Sequence, residues 1–509
     1  MSLLTITPHQ IRGLLIEANL LKEFIGQEWH YTVPQEMNDL IFTSLSYDSR
    51  QTDANTLFFC KGAAFKESYL ESAVAQGLQC YVSEHPYENC SAYGIIVTDI
   101  RAAMACIAQA FYNNPQDQLF KIGITGTKGK TSCAYFVREI LAKTTNQKVA
   151  FFSSEENTVD GKNYQEAVLT TPETLDLYAM MAEAVANGMT HLVMEVSSQA
   201  YKTKRVSGIT YEIGIFLNIS PDHIGPVEHP DFDDYLFCKR ELIHNSKQMI
   251  INRQSDYFEL LKETCAAHQV PLITYGQCDG DYQVLPAESG DPKSFRIHSE
   301  KDILLVNGDY QLALLGEFNH DNATAAIVAA CLAGATQEEA QSVLPNVTIP
   351  GRMIVLEKQN GALIIVDYAH NYLSFKSLSE LAHTLRPKGR LIFVTGSAGG
   401  KAESRRPDMG RALSEYADKV YLTSDDPNFE DPRAIAAEIA AAITAPTVII
   451  EEQMDRSLAV QSAVAEAASQ DIVILAGKGA EQYLKVNGQK EPYEGDLQIA
   501  QRLDRKSVV

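Results

Sequence analysis

The first residues able to do chemistry lie between positions 121 and 132. An apolar strand over 121–125 runs into a turn with Gly126, Thr127, Lys128 and Gly129. The chain then enters a helix that begins Lys130, Thr131, Ser132. Backbone N–H groups and a helix N-terminus in such a turn cradle phosphate oxygens. Lys130 reaches a terminal phosphate, and the Thr131 hydroxyl holds Mg²⁺. The general spacing of such loops asks for glycine at 124, where Ile124 stands, so this is a variant loop.

Further polar residues sit at or near the ends of apolar runs. Glu195 ends the run 191–196. Asp222 and His223 follow Asn218 after the run 212–219, and Lys239 lies on a helical stretch beyond them. Taken singly, such a Glu is solvated, such a His is a turn residue and such a Lys is a surface lysine. Their joint order is what points to a metal-assisted reaction. In the last third, four strand ends are polar: 367–370, 396–401, 425–428 and 477–481. Ligands of doubly wound sheets gather at such ends.

The elements that position these residues fall into three blocks: 1–114, 115–345 and 346–509. The last alternates strands (363–367, 390–395, 419–423, 447–451, 472–476) with helices (374–385, 407–416, 432–443, 455–468). That pattern predicts an α/β fold with a Rossmann-like, doubly wound parallel sheet. The middle block predicts a mostly parallel sheet carrying the phosphate loop, with a helix over 322–332. The first block alternates short strands and helices.

Composition narrows the classes. The 509 residues are 45% apolar and 21% charged, with formal charge −22, which excludes a mainly disordered chain and disfavours nucleic-acid binding. No run approaches a membrane span, and MSLLTITPHQIRGLL lacks a signal-peptide pattern. The nine cysteines are scattered and never spaced C-x-x-C, so a reduced, cytoplasmic protein is expected. No Gly-x-Gly-x-x-Gly follows a strand, which disfavours a nicotinamide dehydrogenase.

The run Thr125 to Thr131 resembles the ATP loop of the Mur ligase family, the ligases that build the bacterial peptide stem. That family usually has Asn where Lys128 stands. The remaining motifs fall in family order along essentially the whole chain. The resemblance implies ATP contacts from Gly126 to Ser132, Asn319, Arg352 and Asp367. It implies two Mg²⁺, one on Thr131 and one on Glu195, His223 and a carbamylated Lys239, with Lys130, Lys239, Glu195 and His223 as the catalytic set.

Ser49, Thr170, Thr171, Ser197 and Arg205 match contacts to UDP-N-acetylmuramoyl-L-Ala-D-Glu in the tripeptide-forming branch, although Gln199 stands where that branch often has His. The 1–114 block is then the UDP-muramoyl domain, 115–345 the ATP domain and 346–509 the amino-acid domain. Lys401, Asp425, Asp426, Pro427, Asn428, Gly477 and Glu481 match the amino-acid contacts. Lys401 replaces the usual Arg, which keeps the charge and loses the bidentate fork. Asn428 stands where diaminopimelate-adding members carry Arg, so L-lysine is the expected substrate of a monomeric enzyme. Diaminopimelate or ornithine, a folylpolyglutamate synthetase-like ligase and a non-enzymatic nucleotide-binding module are the alternatives.

Overall fold

The computed structural model describes residues 4–504 apart from 27, 63–64, 88–89, 226–227 and 402. Three major sheets follow one another along the chain. The first has six strands in the order Trp29–His30, Leu21–Ile25, Tyr93–Val97, Cys80–Ser83, Thr56–Phe59, Ser44–Ser46, the last four parallel.

The second sheet has eleven strands. Its parallel centre runs Val149–Phe152, His191–Glu195, Phe120–Thr125, Ile213–Phe216, Met249–Asn252, Leu272–Gly276. These strands read as near-continuous apolar runs because helices cover both faces. Side chains alternate between the faces. Ile122, Ile124, Val193 and Ile215 pack under the helices Lys130–Thr144 and Glu317–Leu332. Leu192, Met194 and Phe216 face the opposite core, shared with the helices Ile100–Phe111 and Thr174–Ala186. The register places Glu195 beside Ile124 and Phe216 beside Thr125, so the ends carrying the polar motifs lie side by side.

The third sheet has six strands in the order Ile354–Glu357, Leu363–Asp367, Ile472–Ala476, Leu391–Thr395, Lys419–Leu422, Ile449–Glu452. All its pairs but the first are parallel, and its four polar strand ends therefore adjoin. Among the described residues, no helix is long and apolar enough to cross a membrane.

Three features differ from the sequence reading. The helix over 322–332 begins at Glu317, which places Asn319 in its first turn. The central sheet continues through Tyr282–Pro286, Ser294–His298 and Gly308–Gln311, the last two antiparallel. These short half-exposed strands lack the apolar runs by which the centre is recognised. A hairpin, Tyr483–Val486 with Gln489–Pro492, follows the last polar strand end.

Candidate active site

The strand Phe120–Thr125 delivers the loop, and Gly129 turns it into the helix at φ +82°. A Cβ there would lie 2.4 Å from the Asn322 Oδ1, so only glycine fits beneath the helix Glu317–Leu332. Lys130 Nζ donates to the carbonyls of Gly126 (2.9 Å) and Thr127 (3.3 Å). Lys239, on the helix Phe232–His244, donates to the same Gly126 carbonyl at 2.8 Å. Burial pulls both ammonium groups below their ordinary range, Lys239 well below, with the neighbouring Lys130 charge adding to the shift. Burial thus favours the neutral amine of Lys239, the form that a carbamate is made from. Thr127 Oγ1 binds Ser220 and the Tyr235 hydroxyl (3.1 Å), and Ser132 follows within the helix.

Glu195, 1% exposed, accepts from the Ser154 amide (2.9 Å) and hydroxyl (3.3 Å). Thr131 Oγ1 meets the same Ser154 hydroxyl at 3.1 Å. The hydroxyl and carboxylate oxygens are thus brought together through one serine, and such hard donors suit Mg²⁺. His223 follows Asp222 on the loop after the strand Ile213–Phe216. Its Nδ1 pairs with Glu228 at 2.7 Å, and its backbone holds φ +56°. Among the described residues, the group of side chains that clusters at metal-ligand spacing is His229, Asp234 and Cys238. There, however, both His229 nitrogens are taken, by Asp234 (2.6 Å) and Ser198 (2.9 Å), and Asp234 is paired with Lys202. This buried network ties the segment after Glu195 to the Lys239 helix.

The third sheet closes the crevice. Arg352 Nη2 donates to Glu155 at 3.1 Å, and its guanidinium lies over the Tyr368 ring at 4.6 Å. The Tyr368 hydroxyl donates to Glu481 at 3.2 Å. Ser154, Glu155, Arg352, Tyr368 and Glu481 form a continuous path from the phosphate loop to the last polar strand end. Asp367 accepts from the Met353 amide at 2.9 Å, and burial raises its pKa. A second crossing runs through Asp222, whose Oδ1 accepts from Arg405 (3.0 Å) and Oδ2 from Asn371 (3.1 Å). Lys128 Nζ lies 3.6 Å from this carboxylate and 3.1 Å from His370 Nε2. Lys128, one of the expected ATP contacts, thus directs its ammonium toward His370 and Asp222.

In the amino-acid region, Lys478 is fully buried and pairs with both Asp426 (2.8 Å) and Glu481. Asp425 lies 3.8 Å from Arg456, and burial pushes its pKa up to about 6. Gly477, at φ +109°, leaves the room that Asp425 uses; a Cβ there would meet its Oδ2 at 2.1 Å. Asn428 spends its amide on the carbonyls of Gly399 and Asp426, each at 3.2 Å, and Pro427 lies in the turn before it. Lys401 is exposed on the loop after Leu391–Thr395.

On the opposite side, Arg205 donates to the Thr171 carbonyl at 3.2 Å and pairs with Glu173 at 2.9 Å. Thr171 Oγ1 bonds the Glu195 carbonyl (2.9 Å) and Ser197 Oγ (3.3 Å). Lys61, from the first sheet, pairs with the same Glu173 and lies 4.2 Å from the Tyr47 ring. Thr170 and Ser49 are half-buried at this boundary. Sequence reasoning passed over Glu173, Lys61, Glu155 and Lys478. Glu173 and Lys478 lie inside motifs already singled out, whereas Lys61 and Glu155 are polar residues with no local signal.

Asn319 is buried at the helix start with its Oδ1 unpartnered, its Nδ2 donating to the Leu315 carbonyl at 2.7 Å. Its chain neighbours Phe318, His320 and Asp321 line a cavity of about 750 Å³ with Leu285 and Leu381.

Residues 124–330 match the Mur ligase middle domain, and residues 351–479 match the Mur ligase glutamate ligase domain. A UDP-N-acetylmuramoyl-L-alanyl-D-glutamate--L-lysine ligase of Enterococcus faecalis (strain ATCC 700802 / V583) is 51% identical over 508 residues, covering 99% of this chain and 100% of that protein. A solved UDP-N-acetylmuramoyl-L-alanyl-D-glutamate--2,6-diaminopimelate ligase superposes with TM-score 0.63 at 25% identity, covering 93% of this chain and 97% of that one. The MurF ligase from Thermotoga maritima in complex with ADP shares the fold at TM-score 0.58 and 18% identity, over 85% and 93% of the two chains. A full-length likeness of this degree, carried by a phosphate loop, a glutamate and a buried lysine in one crevice, makes the chain a member of the Mur ligase family.

Proposed function

We propose that this protein is an ATP-dependent ligase that joins L-lysine to UDP-N-acetylmuramoyl-L-alanyl-D-glutamate in peptidoglycan precursor synthesis. The observation that carries the reading is the continuous path Ser154–Glu155–Arg352–Tyr368–Glu481, which joins a phosphate loop to an acidic pocket. Such a path suits a reaction in which a carboxylate is first phosphorylated and then attacked by an amine.

A carboxylate oxygen of the dipeptide attacks the γ-phosphorus of ATP, and ADP leaves. The α-amine of lysine then attacks the acyl carbon, phosphate leaves and the amine loses a proton. The loop amides and Lys130 take up charge that develops on the transferring phosphoryl group. Thr131 and Glu195 are the oxygen donors suited to Mg²⁺, which supplies charge neutralisation; a carbamate on Lys239 adds another such oxygen, and His223 a nitrogen. Arg205, Ser197, Thr170 and Thr171 hold the dipeptide end of the nucleotide substrate, and Ser49 its UDP end. Asn319 and the cavity beside Phe318 take the adenine, with Arg352 and Asp367 facing the nucleotide from the third sheet.

For the amino acid, Lys401 receives the α-carboxylate, while the four carboxylates of Asp425, Asp426, Glu481 and Asp496 outnumber by one the cations Lys478, Arg456 and Lys485 around Pro427, Asn428 and Gly477. A pocket with that charge surplus accepts the ε-ammonium of lysine. The neutral Asn428 side chain offers the distal carboxylate of diaminopimelate no charge of its own, and a carboxylate buried without a partner is strongly disfavoured. The cytoplasm is the compartment that supplies ATP and nucleotide-linked precursors, and the working form is a monomer.

The test is a ligation assay with L-lysine, meso-diaminopimelate and L-ornithine, alongside folate with glutamate. A kcat/KM preference for lysine over diaminopimelate of about 10²-fold is expected from the cost of an unpaired carboxylate. Equal use of both amino acids overturns the lysine reading, and turnover with folate overturns the substrate class.

A further inference from the structure

Lys128 is the loop residue at which this chain departs from the family's usual Asn, and its side chain does not follow that of Lys130. The backbone at 128 is held independently of its side chain: its N–H donates to Asn218 Oδ1 (2.9 Å), and its carbonyl accepts from Asn218 Nδ2 (3.1 Å). The ammonium leaves the loop and donates to His370 Nε2 at 3.1 Å, with Asp222 Oδ2 at 3.6 Å. His370 Nδ1 meets the Tyr368 carbonyl at 2.6 Å, which makes Nδ1 the protonated nitrogen and Nε2 the acceptor. Asp222, 4% exposed, in turn holds Arg405 and Asn371. Lys128 and Asp222 belong to the central block, whereas His370, Asn371 and Arg405 belong to the C-terminal one. An asparagine at 128 ends too close to the backbone to span that boundary.

We propose that Lys128 is a positioning residue that locks the C-terminal sheet against the phosphate loop and so couples nucleotide occupancy to the amino-acid pocket. The inference rests on the nucleotide reading of the loop and adds to it a division of labour. Lys130 serves the phosphates, and Lys128 serves the closed arrangement. Burial pulls the Lys128 pKa down to about 7, in keeping with an ammonium that shares one carboxylate with Arg405 and has Lys130 and Arg352 nearby.

The experiment compares Lys128→Asn and Lys128→Arg with the unaltered protein. Calorimetry measures affinity for a non-hydrolysable ATP analogue, steady-state kinetics give KM and kcat for lysine, and small-angle scattering follows compaction on ligand binding. Lys128→Asn is expected to keep analogue affinity within about threefold, lower kcat/KM for lysine by about tenfold or more, and reduce the compaction; Lys128→Arg restores most of both, as expected for a coupling between sites. Loss of analogue affinity by about tenfold with lysine kinetics unchanged makes Lys128 a phosphate ligand and overturns the proposal. Unchanged kinetics and compaction overturn it as well. If the unaltered protein ligates no amino acid, the functional reading falls; analogue binding and scattering then decide the latch by themselves.

Discussion

At the phosphate loop, the ammonium groups of Lys130 and Lys239 rest on backbone carbonyls, without an ion pair to a carboxylate among the described residues. In the amino-acid pocket the opposite holds. Lys478 already sits between Asp426 and Glu481, and Arg456 is locked to Asp496 at 2.7 Å. Buried cations without counter-ions are costly, and an anion beside them offsets that cost. A pocket that carries its own ammonium is close to balanced, so it selects by the small surplus of negative charge that remains. On the proposed reading, the first region serves strong charge neutralisation and the second discrimination between similar amino acids.

The comparison predicts its largest effect at Lys130. Lys130→Ala is expected to lower kcat by about 10²–10³-fold, the range seen when one donor to developing charge is removed. Phosphate release in the complete reaction is the measurement, and a loss below tenfold breaks the view of this region as the site of charge neutralisation. Lys239→Ala should lose most activity as well. Formate or high bicarbonate should restore part of it, since a small oxyanion can replace the missing oxygen ligand. Wild-type turnover in that variant without additive sinks the carbamate.

In the balanced pocket, removing the resident cation strands two carboxylates. Lys478→Met is expected to destabilise the C-terminal sheet by about 3–5 kcal/mol, the cost of breaking a buried pair. Thermal unfolding reads it, and an unchanged Tm means that the pair carries no such weight.

The smallest effect is a pH dependence. Burial raises the Asp425 carboxyl from its ordinary range to about 6. Its carboxylate is charged above that value and neutral below, so KM for lysine should rise several-fold as pH falls through about 6. Asp425→Asn should flatten that slope. For stability the sign is reversed: the protonated form is favoured in the fold, so this group's contribution is full below its unfolded value and is lost as pH rises through about 6. A KM profile in Asp425→Asn that keeps the same inflection assigns the titration to another group.

The chemistry that depends on short runs of sequence was legible without coordinates. The loop from Gly126 to Thr131, Glu195 at its strand end and the four polar ends of the last sheet are local patterns. Strand, turn and helix propensities operate over a few residues, and a parallel sheet sends its ligands to one edge. For the same reason the alternating strands and helices after residue 350 could be read, whereas the half-exposed strands between Tyr282 and Gln311, with no apolar run to mark them, could not.

Only the tertiary structure decided which charges cancel. Glu173 meets Lys61 across more than a hundred residues of chain, and Arg352 similarly meets Glu155. Asp222 gathers Lys128, Arg405 and Asn371, and Lys478 occupies ground that the acidic residues alone would have left to a substrate. Coulomb energies and burial depend on distance in space, and distance in space between remote residues is set by sheet order and packing. Residue types along the chain therefore marked the candidate reactive groups of this protein, while the fold determined which of them are paired and with what.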